Sequence, residues 1–297
     1  MQFFFEVLIG GLLSGVMYSL VALGFVLIYK ASGVFNFAQG SLVFFAALTF
    51  VGLMEHGLSF GVALLVTLLA MIVLGLLIEK FVLRPLVNQP QISLFMATIG
   101  LSFLIEGLAQ LLWGANVRGL DIGIQDEPLA WIADPTGINV SKFDLAAAGI
   151  AAVLVTMLAF FFSRTRIGRA LRAVADDHQA ALAVGIPLQQ IWGIVWAVAG
   201  FVALVAGLLW GARNGVQFAL TFVALKALPV LILGGFDSVP GAIVGGLIIG
   251  ATEKLAEVYL GPYVGGGIEG WFPYVLALIF LLVRPEGLFG EKIIRRI

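Results

Sequence analysis

No cysteine occurs in the chain, which excludes disulfides, cysteine-ligated zinc and thiol catalysis. Histidine occurs only as His56 and His178, too few for a histidine metal cluster. Charge is scarce as well: 11% of the 297 residues are charged, 16 Lys and Arg against 17 Asp and Glu, leaving a net charge of -1. A chain so balanced carries no basic footprint for nucleic acid. There is no Gly-rich loop followed by Lys-Ser or Lys-Thr, so ATP hydrolysis by that route is excluded. No Ser/His/Asp constellation or carboxylate pair in a dry pocket can be assembled, so an enzyme reading finds no catalytic group. The amino-terminal MQFFFEVLIGG lacks the basic region of a signal peptide, and its apolar run continues to Ile28. The expectation is an uncleaved first span.

What the sequence has in quantity is apolar surface. Hydrophobic residues make up 61% of the chain, more than a soluble core could bury, and 37 glycines suit helices that approach closely inside a bilayer. The expected fold is all-α, a polytopic transmembrane helical bundle of about 8–10 spans with interrupted helices and an internal duplication. The candidate spans are Phe5 to Ile28, Phe37 to Met54, Leu58 to Ile78, Ile92 to Trp113, Phe143 to Phe162, Ile191 to Ala212, Phe218 to Leu233, Ala242 to Leu260 and Phe272 to Val283. The last is short against the roughly 20 residues a span needs.

A nine-span count gathers Lys30, Lys80, Arg84, Arg164, Arg166, Arg169, Arg172, Arg284, Lys292, Arg295 and Arg296 on one side, which is then cytoplasmic. The other side receives an acidic loop at about 114–143 and the amino terminus. An even count, with one segment re-entrant, moves the amino terminus inside. The acidic loop reads either as a solvated connection or as a landing surface for an external partner.

Between two long apolar runs lies a polar interval at about 164–190, RTRIGRALRAVADDHQAALAVGIPLQQ. Ile167, Leu171, Val174, His178 and Leu182 recur at three- and four-residue spacing, with Arg169, Arg172, Asp176 and Asp177 on other faces. That is an amphipathic helix outside the membrane, with Arg172 and Asp176 one turn apart. Gly185 suits a left-handed stop and Pro187 cannot continue the helix. Two readings stay open: a connector obeying the positive-inside rule, or a docking element whose apolar stripe meets a partner or the bilayer surface.

Two membrane segments open with glycines and polar side chains: GVFNFAQGS (Gly33 to Ser41) and GGFDSVPGAIVGG (Gly234 to Gly246). A pair of such interruptions points to a duplicated fold with a transport path at its interface. Asn36, Gln39, Ser41, Asp237 and Ser238 are therefore path or gate candidates, while Asn36, Asp237 and Ser238 read equally well as helix caps. Among ionisable residues inside the spans, Glu106 and Lys226 lie deep, and their opposite signs suggest a buried pair. That pair could also serve a self-sufficient, ion-linked transporter or channel. Glu253 and Glu257 share a helix face near the end of their span and are expected to snorkel to the outer surface.

Three motifs in order carry a family resemblance: GFVLIYKASGVFNFAQGSLVFFAA (Gly24 to Ala47), RIGRALRAVADDHQAALAVGI (Arg166 to Ile186), and LPVLILGGFDSVPGAIVGGLIIGATE (Leu228 to Glu253) with the tail RPEGLFG (Arg284 to Gly290). With them the chain resembles, nearly end to end, the permease subunits of ATP-binding-cassette importers for branched-chain and other neutral amino acids, the LivH-like group. The resemblance implies a single permease domain over residues 1–297 in a bacterial cytoplasmic (inner) membrane, paired with a second related permease subunit. Two cytoplasmic ATP-binding-cassette ATPases would drive it, and a periplasmic or extracellular solute-binding protein would deliver the solute. No cofactor is expected on this chain, ATP and magnesium belonging to the ATPases, and the partners include membrane lipid but no nucleic acid. By the same resemblance Arg169, Arg172, Ala173, Asp176, Ala180, Ala181 and Gly185 would couple the spans to an ATPase. The family often carries His and Glu where this chain has Gln39 and Ser41, which bears on selectivity. The same architecture carrying urea or short amides is the neighbouring alternative.

Overall fold

A computed structural model describes residues 2–86, 89–176 and 178–290. Asp177 and the basic Lys292, Arg295 and Arg296 lie outside the described residues, as do the side chains of Asp176, His178 and Gln179. The described residues form helices α1 (Gln2–Ser32), α2 (Gln39–Glu55), α3 (Phe60–Ile78), α4 (Gln91–Trp113), α5 (Ala130–Thr136), α6 (Lys142–Arg164) and α7 (Arg166–Asp176). After these come α8 (His178–Ala183), α9 (Leu188–Asn214), α10 (Val223–Gly234), α11 (Val239–Tyr259), α12 (Gly261–Val264) and α13 (Phe272–Val283). Single 3-10 turns at Phe218–Phe222 and Ile268–Gly270 lead into α10 and α13. The protein is thus all-α, and every one of the nine apolar stretches is helical.

Among the described residues six helices are long and apolar enough to cross a membrane: Gln2–Ser32, Phe60–Leu86, Ile92–Trp113, Lys142–Arg164, Leu188–Asn214 and Val239–Tyr259. The other three apolar stretches, Gln39–Glu55, Phe218–Gly234 and Phe272–Val283, are shorter. At a 1.5 Å rise per residue, α2 reaches about 26 Å and α10 or α13 about 18 Å, against a hydrocarbon core of about 30 Å. The shortfall falls at the places where glycine and polar residues interrupt the sequence.

The chain divides into two compact units, one of Met1–Ala22, Gly123–Thr156 and Leu225–Ile297 and another of Leu23–Ile122 and Met157–Ala224. In the first, α1 and α11 cross on glycine. A Cβ added at Gly11 would stand 2.7 Å from the carbonyl oxygen of Gly250, and one added at Gly15 would overlap that of Gly246. Ser19 seals the crossing by donating to the carbonyls of Gly15 (2.9 Å) and Ile243 (3.3 Å). Helices without a hydrophobic drive to associate in lipid gain their contact this way, through close backbones and satisfied hydroxyls.

In the second unit α2 is the central element, buried from Gln39 to Gly52. Gly207 of α9 lets that helix approach the Val43 carbonyl, where an added Cβ would lie 2.6 Å away, and Gly52 lies beneath the Trp113 indole of α4. The indole nitrogen donates to Thr49 at 3.2 Å. Gly75 of α3 meets the Trp196 carbonyl of α9 in the same manner, at 2.8 Å for an added Cβ. The outward residues of α3 and α4, among them Leu65, Leu69, Phe103 and Leu111, are exposed and apolar, as a lipid-facing surface requires. Past Ile78 the α3 axis runs into a π-helical turn, Glu79–Leu83, where the buried Glu79 carboxylate is gripped by Arg84 through Nη2 (2.8 Å) and Nε (3.2 Å).

Candidate functional site

The polar residues of the second unit gather around the start of α2. Helix α1 stops at Gly33, whose φ of +67° only glycine adopts without strain, and its N–H closes on the Tyr29 carbonyl at 2.7 Å. Residues 34–36 are then non-helical. Thr98 Oγ1 donates to the Phe35 carbonyl at 3.2 Å, and Thr98 lies six residues inside the span that begins at Ile92, about 9 Å along its axis. The interruption therefore sits at membrane depth, where loose backbone groups must be satisfied by protein. Asn36 supplies part of that: its Oδ1 accepts the Ala38 N–H at 3.1 Å and its carbonyl the Gln39 N–H at 3.2 Å. Phe25 stacks on Phe35, and Phe37 meets Phe35 and Phe95 edge to face, around the bend with centroids 4.7 to 4.8 Å apart.

Gln39 is fully buried. Its Oε1 accepts from Asn36 Nδ2 at 3.4 Å, while its Nε2 has no partner among the described residues. Gly24 makes room for that amide, since a Cβ there would overlap it. Two residues on, the buried Ser41 donates to Glu106 Oε1 of α4 at 2.7 Å, and Ser102 donates to the same oxygen at 3.4 Å. Asn36, Gln39, Ser41 and Glu106 thus belong to one stretch of the α2–α4 packing. Thr98 and Ser102 complete it; in sequence each was only an ordinary small polar residue in an apolar helix.

The first unit places its charges differently from the expectation. Lys226 takes Glu253 as its partner, Nζ to Oε1 at 3.0 Å, and Tyr18 OH donates to the same oxygen at 3.2 Å. Glu253 is 1% exposed, and among the described residues its Oε2 has no hydrogen-bond partner. The expected Glu106–Lys226 pair gives way to two separate arrangements, a lysine held by Glu253 and a carboxylate held by serines. Glu253 does not snorkel, because a cation and a phenol receive it inside the protein. Glu257 accepts the N–H groups of Gly267 and Glu269 at 2.9 Å each, tying down the turn between α12 and α13. Beside it Lys254 bonds Glu269 at 2.9 Å, and that hydrogen bond holds the Glu269 carboxyl below its usual range.

The second interruption repeats the design of the first. Gly235 has a φ of +106°, and three residues later Ser238 caps α11, its Oγ accepting the Gly241 N–H at 3.0 Å. Ser238 therefore acts as the cap that its residue type allowed. Asp237 stands in the same turn, 3.6 Å from where a Cβ on Gly290 would be. The tail folds back here: Leu288 and Phe289 donate their N–H groups to the carbonyls of Leu233 (2.8 Å) and Gly234 (3.0 Å), the last of α10.

The described parts of the polar interval are helical, α7 before Asp177 and α8 after it, with Asp177 itself outside the described residues. Thr165 starts α7, its Oγ1 accepting the Gly168 N–H at 3.1 Å, a cap the sequence did not announce. Arg172 turns back to the end of α6, donating to the carbonyls of Phe162 (2.8 Å) and Ser163 (3.4 Å). Its expected neighbour Asp176 has its side chain outside the described residues. Leu171, Val174 and Ala181 are buried within the unit and Ile167 is half-buried, so the middle of the apolar stripe packs on the protein's own chain while its far end, Leu182, is exposed. Arg169, Ala180, Leu182 and Val184 are exposed, and Ala173 is half-buried. Gly185, at φ +82°, ends α8 with the Ile186 N–H on the Ala181 carbonyl at 3.0 Å, the stop expected of it.

With that geometry established, comparison with known proteins is informative. Residues 7–284 match the family model described as branched-chain amino acid transport system / permease component. The high-affinity branched-chain amino acid transport system permease protein LivH is 25% identical over 306 residues in both Salmonella typhimurium and Escherichia coli K12, covering 99% of this chain and 98% of the relative. The corresponding BraD of Pseudomonas aeruginosa is 27% identical over 307 residues with the same coverage. A solved structure, PsaBC from Streptococcus pneumoniae in complex with Fab, aligns with a TM-score of 0.48 at 17% identity over 93% of this chain and 90% of that one, too loose a match to carry an argument.

Proposed function

Because this chain belongs to the permease components of branched-chain amino acid transport systems, we propose that it is the membrane-spanning subunit of an ATP-driven importer of branched-chain or other neutral amino acids. The observation that carries this reading is the end-to-end match, residues 7–284 in the family model and 99% of the chain in relatives that bear that function in their names. The chain moves solute without chemistry of its own. Its partners are a second related permease subunit, two cytoplasmic ATPases that hold ATP and magnesium, and an external solute-binding protein. Its place is the bacterial inner membrane, as a multi-pass protein within a single permease domain.

In this reading the α7–α8 segment is the lever between ATPase and spans. Support comes from its exposed outer edge, Arg169, Ala180, Leu182 and Val184, standing on an apolar face already anchored to its own unit. A rigidly mounted lever transmits force; a loose one does not. Arg172 belongs to the mounting, through its grip on the end of α6. The path candidates Asn36, Gln39, Ser41 and Glu106 line the α2–α4 seam, and Lys226, Asp237 and Ser238 belong to the other unit.

The test is co-purification at native expression followed by reconstitution. Two ATPases and a related permease should accompany the chain, and leucine uptake by vesicles holding the whole complex should require ATP. Accumulation of leucine by vesicles holding this polypeptide alone would overturn the reading.

A further inference from the structure

We propose that Glu106 is the anchor for the α-ammonium group of the transported amino acid, held ready for it by Ser41 and Ser102. The proposal rests on the importer reading above and adds the residue that recognises the cargo's positive end.

Glu106 lies in α4 close to the middle of the span Ile92–Trp113, whose midpoint falls between Ser102 and Phe103, about 5 Å away along the axis. A carboxylate at that depth is costly unless it meets protein, water or a cation. The chain's other carboxylates buried in membrane helices meet cations: Glu79 is paired with Arg84 and Glu253 with Lys226. Glu106 is not. Among the described residues no Lys or Arg lies within ion-pair distance of it, and its contacts are two neutral hydroxyls, Ser41 at 2.7 Å and Ser102 at 3.4 Å, both on Oε1.

That arrangement is what a cation receptor needs. The hydroxyls fix the carboxylate's position without cancelling its charge, and both of them bond Oε1, so among the described residues none donates to Oε2. Glu106 is half-buried, so one side of the group is fastened to the fully buried wall of α2 and the other is open. An alkylammonium ion brings three N–H donors and a full charge, which give the short, charge-assisted bonds a carboxylate in a poorly polar setting favours. A structural carboxylate would have been given its own lysine, as Glu253 was.

The experiment uses the complete importer in proteoliposomes, with ATP-driven uptake of leucine as the readout. Glu106→Gln keeps both serine contacts and removes the charge; it should melt within a degree or two of the unaltered complex and lose more than tenfold in leucine uptake. Independently of any variant, 3-methylbutylamine present at equal concentration on both sides of the vesicle membrane should slow uptake by the unaltered complex, because it carries the ammonium, while 4-methylpentanoate, which lacks it, should not. Unchanged uptake by Glu106→Gln overturns the proposal, as does equal inhibition by the two compounds. Uptake that follows an imposed pH gradient in the unaltered complex but not in Glu106→Gln assigns the carboxylate to proton transfer and also overturns it. If the unaltered complex moves no neutral amino acid at all, it is the importer reading that fails, whereas leucine uptake indifferent to Glu106 leaves that reading intact and removes only the anchor.

Discussion

A lysine inside a membrane helix survives only with company, and Lys226 has it in Glu253 and Tyr18. The pair is asymmetric. Glu253 is sealed while the lysine side chain keeps 32% of its surface exposed. Removing the lysine alone leaves a buried, uncompensated carboxylate, a loss of about 3–5 kcal/mol. Lys226→Met should therefore lower the melting temperature of the purified complex steeply, and adding Glu253→Met should restore most of it; a double variant no better than the single one would show that the pair's charges are not what stabilises the unit. Outside the membrane helices, Glu269 has its carboxyl held below the ordinary value of 4.5 by Lys254. A depressed carboxylate stabilises the fold at pH values above 4.5 and gives that stability up as pH falls through its lowered value. The acid limb of a melting-temperature profile should accordingly be shallower in Lys254→Met, which removes the bond, than in the unaltered protein.

At the scale of elements, glycine decides which helices meet. The α1–α11 crossing puts carbonyls where side chains would otherwise be, so Gly15→Leu has no small adjustment open to it and must part the helices. Overpacking of this kind costs about 1–3 kcal/mol or more. Gly15→Leu should reduce the yield of folded protein and its melting temperature, whereas Gly10→Leu, where nothing lies within 4 Å of an added Cβ, should be tolerated. Equal behaviour of the two variants would contradict the crossing. The caps at the interruptions contribute less. Ser238→Ala frees the Gly241 N–H and should cost about 1 kcal/mol, read as a melting shift of a few degrees. The lever makes its own demand: Arg172→Ala unfastens α7 from the last carbonyls of α6, so ATP hydrolysis by the complex should continue while uptake falls, provided the lever assignment holds.

Over the whole molecule, the nine apolar stretches and both interruptions could be read from the sequence, since run length and glycine placement are local properties. The amphipathic period of α7 was legible too, but a period names a face and not what covers it; Leu171 and Val174 turned out to be covered by the protein itself. Charge partnerships were the part that could not be read. Tyr18 and Glu253 are 235 positions apart and Ser41 and Glu106 are 65 apart, so only the packed helices reveal who neutralises whom. Opposite signs at similar depth suggested Glu106 with Lys226, yet sign and depth do not specify azimuth around a helix axis. Gln39 has the same lesson in another form: its type marked it as notable, while the orphaned Nε2 became visible only with Gly24 beside it.

The fold-back of Leu288 and Phe289 onto the end of α10 fastens a place that was synthesised 55 positions earlier, counting from Leu233 to Leu288. Until those later residues leave the ribosome, the final carbonyls of α10 have no mate, and the bend toward α11 stays open in the nascent chain. Insertion machinery thus receives a helix pair that can still pivot, and locking comes last. A stop codon placed just after Val283 would leave every span written but the pivot unlocked, a protein complete by hydropathy and unfinished as a machine.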